Sequence, residues 1–195
     1  MKNRQSLRSA RGQSILEFTL VVPLILMVVL GVVEVAYALL DQQVVTRLTR
    51  EGSNLISRDA TIEDATTVMR SMGTRPVNLN DGSSKVIFSV IKRGGTVGTA
   101  NYDRLFMYQR RVYGTFAGAS KLHYGGGSFN GAPDYEAVNA DTNAALQVTN
   151  VPANLVTVLG GMMYVTEIFS RHNLITPFDR FGVPIPESLY SIAYF

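Results

Sequence analysis

Between residues 18 and 40 the chain is apolar throughout except at Glu34, its one charged position there. As a helix this run measures roughly 34 Å at about 1.5 Å per residue. A hydrocarbon core of about 30 Å is therefore within its reach. A cleaved secretory signal has an apolar region of about 7–15 residues ending at a small-residue A-x-A-like site, and no such site follows Leu40. Whatever else the chain folds into, this stretch needs lipid or other apolar helices around it.

The residues before the run set its direction. Lys2, Arg4, Arg8 and Arg11 form a basic leader that ends at Gly12 and contains no acid. By the positive-inside rule the leader stays cytoplasmic and everything after Leu40 faces out. The formal charge of +3 belongs to this leader. The chain's 18 Lys and Arg less the leader's four leave 14, against 15 acids. A nucleic-acid binder needs its basic residues gathered on a folded face, and the near-neutral remainder of this chain does not point to one. Cysteine is absent, so neither a disulfide nor a thiolate metal site nor a cysteine nucleophile is available.

Three residues stand out in the apolar segment. Pro23 lacks a backbone donor and should loosen or kink the helix locally. Glu34 lies roughly 9 Å inside the Leu40 end of a straight helix. It either marks the outer interface or makes an inter-helix contact. Glu17 sits at the cytoplasmic threshold, five residues after Gly12. An acid near a bilayer core costs on the order of 2.5–3.5 kcal/mol unless it is paired or reaches water.

Glycine, four residues, glutamate, an aromatic and a long apolar helix make a specific conjunction. The stretch Arg11-Gly12-Gln13-Ser14-Ile15-Leu16-Glu17-Phe18-Thr19-Leu20-Val21-Val22-Pro23-Leu24 resembles the start of the TadE-like proteins. These are pseudopilins, or minor pilins, of the tight-adherence (Tad/Flp) type IV pilus system. Where family members often carry tyrosine after the glutamate, Phe18 keeps the ring and lacks the hydroxyl. Arg47-Leu48-Thr49-Arg50-Glu51-Gly52 resembles the family's segment beyond the membrane helix. Tyr164-Val165-Thr166-Glu167-Ile168-Phe169-Ser170-Arg171, with Leu174-Ile175-Thr176-Pro177-Phe178 after it, resembles its late strand. The similarity covers residues 11–58 and resumes around 162–178.

The resemblance implies an inner-membrane precursor cut by a prepilin peptidase between Gly12 and Gln13, with Glu17 becoming the fifth residue. Glu17 and Phe18 would then register the subunit in a helix bundle, and Pro23 would permit a local bend. The implied partners are the peptidase, other pilin-like subunits and the Tad inner-membrane assembly machinery. The leading reading is thus a pilin-like structural or assembly subunit that acts by packing. The alternative is an unprocessed single-pass protein whose periplasmic domain binds an envelope partner.

Beyond Leu40, Val44, Val45, Leu48, Gly52, Leu55 and Ile56 recur at three- and four-residue spacing, which predicts that the helix continues with an apolar stripe. The stripe is expected on the chain's own sheet, with partner helices as its other possible occupant. Thr61 is placed to cap a second helix, with Glu63 and Asp64 in the first turn. Ala65, Val68, Met69 and Met72 line one face of it, and Gly73 and Pro76 close it. Strands are predicted over 86–91, 105–116, 145–149, 162–169 and 189–195. The glycine-heavy 117–133 stretch reads as a long exposed loop.

Helix first and strands later predict an α+β, pilin-like architecture, a long transmembrane and amphipathic helix followed by a small antiparallel sheet. The expected divisions are a leader at 1–12, a transmembrane helix at 13–40, an amphipathic extension at 41–73 and a β-rich extracytoplasmic domain at 74–195.

Catalytic patterns find little support. A phosphate cradle starting at Gly125 and Gly127 would need glycine at Asn130. His123 and His172 have no second ligand at metal-site spacing. Glu63-Asp64 and Asp134/Glu136 read as solvated charge, and residues 78–83 read as a tight turn more simply than as a calcium loop. The sequence therefore leads us to expect no catalytic, metal or cofactor residues, with a membrane-tethered enzyme as the remaining competitor.

Overall fold

The computed structural model describes residues 4–155, 157–176 and 187–195, with the side chains of the first helix described from Gln13 onward. Helix α1 (Arg4–Ser57) is followed by α2 (Ile62–Met72) and by strands β1 (Ser84–Arg93), β2 (Leu105–Gly114), β3 (Met162–Arg171) and β4 (Ser188–Tyr194). The architecture is α+β, as the order of patterns predicts: a long apolar helix, then a four-stranded antiparallel sheet in the order β2-β1-β3-β4.

By internal contacts the chain divides into two units. One holds α1 up to Leu40 together with a stretch beginning at Leu174, and the other holds Asp41–Asn173 and the C-terminal strand. In the first unit α1 carries Pro23 without interruption of the helix. Leu20 is 78 % exposed and Phe18 69 %, so the apolar surface of this rod is largely uncovered by the chain itself.

The second unit has three layers. Val45, Leu48 and Ile56 of α1 join Ile62, Ala65 and Met69 of α2 over Val86, Phe88, Val90, Ile168 and Leu189 of the sheet. The stripe read from the sequence therefore packs on the chain's own sheet. Gly52 permits the close approach, since a Cβ there would meet Thr166 Cγ2 at 2.9 Å and Phe88 Cε1 at 3.3 Å. The side chain of Ser53 also donates to the Ala193 carbonyl at 3.0 Å. Thr61 caps α2 by accepting from the Asp64 amide at 3.0 Å, satisfying one of the orphan donors of the first turn.

Irregular chain forms the third layer. Leu122, Ala137, Leu146 and Val148 bury against Ile91, Phe106, Met107, Met163 and Val165 on the sheet's other face. This explains why β1 reads as a near-continuous apolar run, because both of its faces are covered. The same layer protects the β2 edge. The Ala137 amide donates to the Tyr108 carbonyl at 2.7 Å, Arg110 to Tyr135 at 3.0 Å, and Val148 to Leu105 at 2.9 Å. A bare edge strand would otherwise invite pairing with other chains.

Two sequence expectations need correction here. The strand expected at 145–149 is a short 3-10 turn, Ala144–Leu146, with isolated bridges at Gln147 and Val148. Its donors are satisfied locally, since the Asn143 side chain accepts from the Ala145 amide at 3.0 Å and the Asn143 carbonyl from the Leu146 amide at 3.1 Å. The 117–133 stretch is also more than an exposed loop. Leu122 enters the core, and a Cβ on Gly118, at φ 153°, would strike the Phe169 ring at 2.5 Å.

Candidate assembly site

The residues that sequence reading singled out lie along the first part of α1. Gly12 and Gln13 are both within the helix. The side-chain amide of Gln13 donates to Glu17 Oε1 at 3.1 Å, one helical turn away, and Thr19 Oγ1 donates to the Ile15 carbonyl at 2.8 Å. Phe18 and Pro23 follow on the same helix, which brings the five residues into about three turns. Helical spacing alone produces this grouping, with no contribution from the sheet.

The surroundings of these residues are apolar and open. The segment Gln13–Ser57 contains an 18-residue window of mean hydropathy 2.6, only 6 % of which is buried by the rest of the chain. A helix that is apolar on every side is stable inside a bilayer or among other apolar helices. This helix is long and apolar enough to cross a membrane. In such surroundings the Glu17 carboxylate favours a hydrogen-bonded or charged partner, because an unpaired charge there is costly.

Glu34 behaves differently. It is 1 % exposed, while the rest of the helix from Gln13 to Leu40 is exposed or half-buried. Its Oε2 accepts from the Thr176 amide at 2.8 Å, the Thr176 hydroxyl at 2.5 Å and the Ile175 amide at 3.2 Å. The sequence allowed an interfacial position or an inter-helix contact, and the structure supplies a contact within the chain. The partners lie 141 and 142 residues away, beyond the reach of any local pattern.

The second unit holds polar contacts that sequence reading passed over. His172 Nδ1 lies 2.7 Å from Asp41 Oδ2. Glu167 is fully buried and accepts from the Lys121 amide at 2.7 Å, the Tyr190 hydroxyl at 2.9 Å and the Ser120 hydroxyl. Burial first, and then the Glu167 charge, pushes the Tyr190 hydroxyl far above the usual phenol range. The bonds from Ser120 and Lys121 pin the irregular layer to the sheet.

Two acids expected to be plain solvated charge are engaged. Glu63 accepts from the Tyr135 hydroxyl at 2.5 Å and lies 2.6 Å from Arg111 Nη1. The Tyr135 hydrogen bond, with Arg111 beside it, holds the Glu63 carboxyl below its usual range. Glu136 accepts from the Tyr108 hydroxyl at 2.8 Å. The 78–83 segment is a tight turn, with Asp81 accepting from the Ser83 amide at 2.9 Å and the Asn78 side chain at 2.7 Å. Among the described residues no three His, Cys, Asp or Glu side chains converge as metal ligands.

Comparison with known proteins agrees with the first part of the chain. The model of the family described as TadE-like protein matches residues 12–54. The match takes in Gly12, Gln13, Glu17, Phe18, Pro23 and the extension as far as Asn54, and does not reach the late strand. No curated protein and no solved structure matches the chain. Residues 12–54 are therefore similar to the TadE-like family, and the similarity is confined to this helical segment.

Proposed function

We infer that this chain is a pilin-like subunit of Tad/Flp pilus biogenesis that works by helix packing and not by catalysis. It is made as a single-pass precursor of the bacterial inner membrane, with the leader in the cytoplasm and the sheet domain in the periplasm. A prepilin peptidase cuts between Gly12 and Gln13. Glycine at the cut lets the peptidase approach the backbone closely, and the cut leaves a positive amine on Gln13.

The observation that carries this reading is an exposed apolar rod with Glu17 near its N-terminal end, both inside the TadE-like match. In a bundle of such rods Glu17 of one subunit pairs with the Gln13 amine of another. Removing one partner of such a pair leaves an uncompensated charge where water is scarce, at a cost of about 3–5 kcal/mol. Phe18 adds an apolar ring beside the pair, and Pro23 eases a local bend by leaving one backbone bond unmade.

The test is a strain lacking this chain and complemented with Glu17→Ala. The variant is expected in the membrane fraction at normal level, while surface pili counted by electron microscopy fall to the level of the deletion. Normal piliation would remove Glu17 from any registry role.

A further inference from the structure

We propose that Glu34 is an intrachain clasp, a carboxylate on the membrane helix gripped by the backbone of residues 175 and 176 and thereby withdrawn from subunit pairing. Two successive amides and one hydroxyl converge on this single side chain, at 2.8 Å and 3.2 Å for the amides and 2.5 Å for the hydroxyl. Successive amides aimed at one point make an anion-binding nest. The Ile175 amide is shared, reaching Glu34 Oε1 at 3.3 Å as well.

The helix face is shaped for this occupant. Gly31 and Ala38, three residues before and four after Glu34, are the partly covered positions flanking it, while Val33 and Val35 stay exposed. Small side chains on that face let a peptide backbone approach the helix. Thr176 is itself buried against it, at 7 % exposure. Inside or beside lipid neither the carboxylate nor the two amides can turn to water, so each group is the other's natural partner.

The clasp has a temporal consequence. Glu34 reaches the membrane early in synthesis, but its partners lie after β3, close to the end of the chain. The carboxylate gains these hydrogen bonds only once residues up to 176 have crossed. A precursor stalled before that point lacks these three hydrogen bonds to its membrane-helix acid. Glu17, by contrast, has a partner within one turn and can be used between subunits.

Hydrogen–deuterium exchange on the full chain in lipid nanodiscs, resolved at the amides of 175 and 176, tests this clasp. The wild-type amides should exchange slowly. Glu34→Ala should speed them by about tenfold or more, as expected for loss of bonds to a charged acceptor, while β1 and β3 amides stay protected. Glu34→Gln, which keeps one acceptor oxygen, should fall between. Wild-type amides that exchange like free chain would overturn the proposal whatever the variants do. So would equal protection in wild type and Glu34→Ala. Should Glu34→Ala fail to fold, so that the sheet amides lose protection too, Glu34→Gln carries the comparison alone, and unchanged exchange in it overturns the proposal.

Discussion

Glu17, Glu34 and Glu63 are three glutamates whose settings differ more than their sequence neighbours suggest. Glu17 takes a hydrogen bond from Gln13 one turn away, and helical spacing alone makes that contact legible. Glu34 takes its partners from beyond residue 174, so its setting depends on tertiary structure and stays hidden in the sequence. Glu63 looks like a first-turn acid that complements the α2 dipole, which it is, but the Tyr135 hydroxyl and Arg111 also reach it. Its lowered carboxyl makes a pH prediction. A carboxyl depressed in the folded state adds stability above its ordinary value near 4.3, and that stability is lost as pH falls through the folded value. Tyr135→Phe removes the largest cause of the depression. The Glu63 midpoint, followed by carboxyl NMR, should rise toward the ordinary value, and local loosening should begin at a higher pH. An unchanged midpoint would contradict the assignment.

At the level of elements, α1, α2 and most strands were legible because each repeats a simple period. The stripe of Val45, Leu48, Gly52 and Ile56 has helical spacing, and the β1 and β3 runs are rich in β-branched and aromatic residues. Residues 115–161 have no such period. They bury single residues such as Leu122, Leu146 and Val148 at irregular intervals, and local hydrogen bonds at Asn143 replaced the strand expected at 145–149. At Gly52 helix and sheet approach each other closely in the second unit. Gly52→Leu should therefore overpack Thr166 and Phe88 and lower stability by about 1–3 kcal/mol. Thermal unfolding of the detergent-solubilised chain reads this as a lower Tm. A Tm equal to that of wild type would mean that the helix and sheet are not in close contact at this point.

For the whole molecule, composition and charge placement read most clearly of all. A basic leader, an apolar run and a near-neutral remainder fit a membrane anchor before any fold is known. The α+β class followed from the order of patterns, whereas the irregular layer over the sheet did not, since nothing local encodes long-range burial. The TadE-like match falls on the part that was easiest to read, and the sheet domain stands on its own packing. The central claim is that this chain is trimmed before its rod is bundled, and the most direct measurement is intact mass with N-terminal sequencing of the protein extracted from membranes of cells with active prepilin peptidase. The wild-type chain is expected to begin at Gln13 and the Gly12→Ala chain at Met1, both inserted. A wild-type protein that still begins at Met1 would contradict this claim and favour an unprocessed anchor.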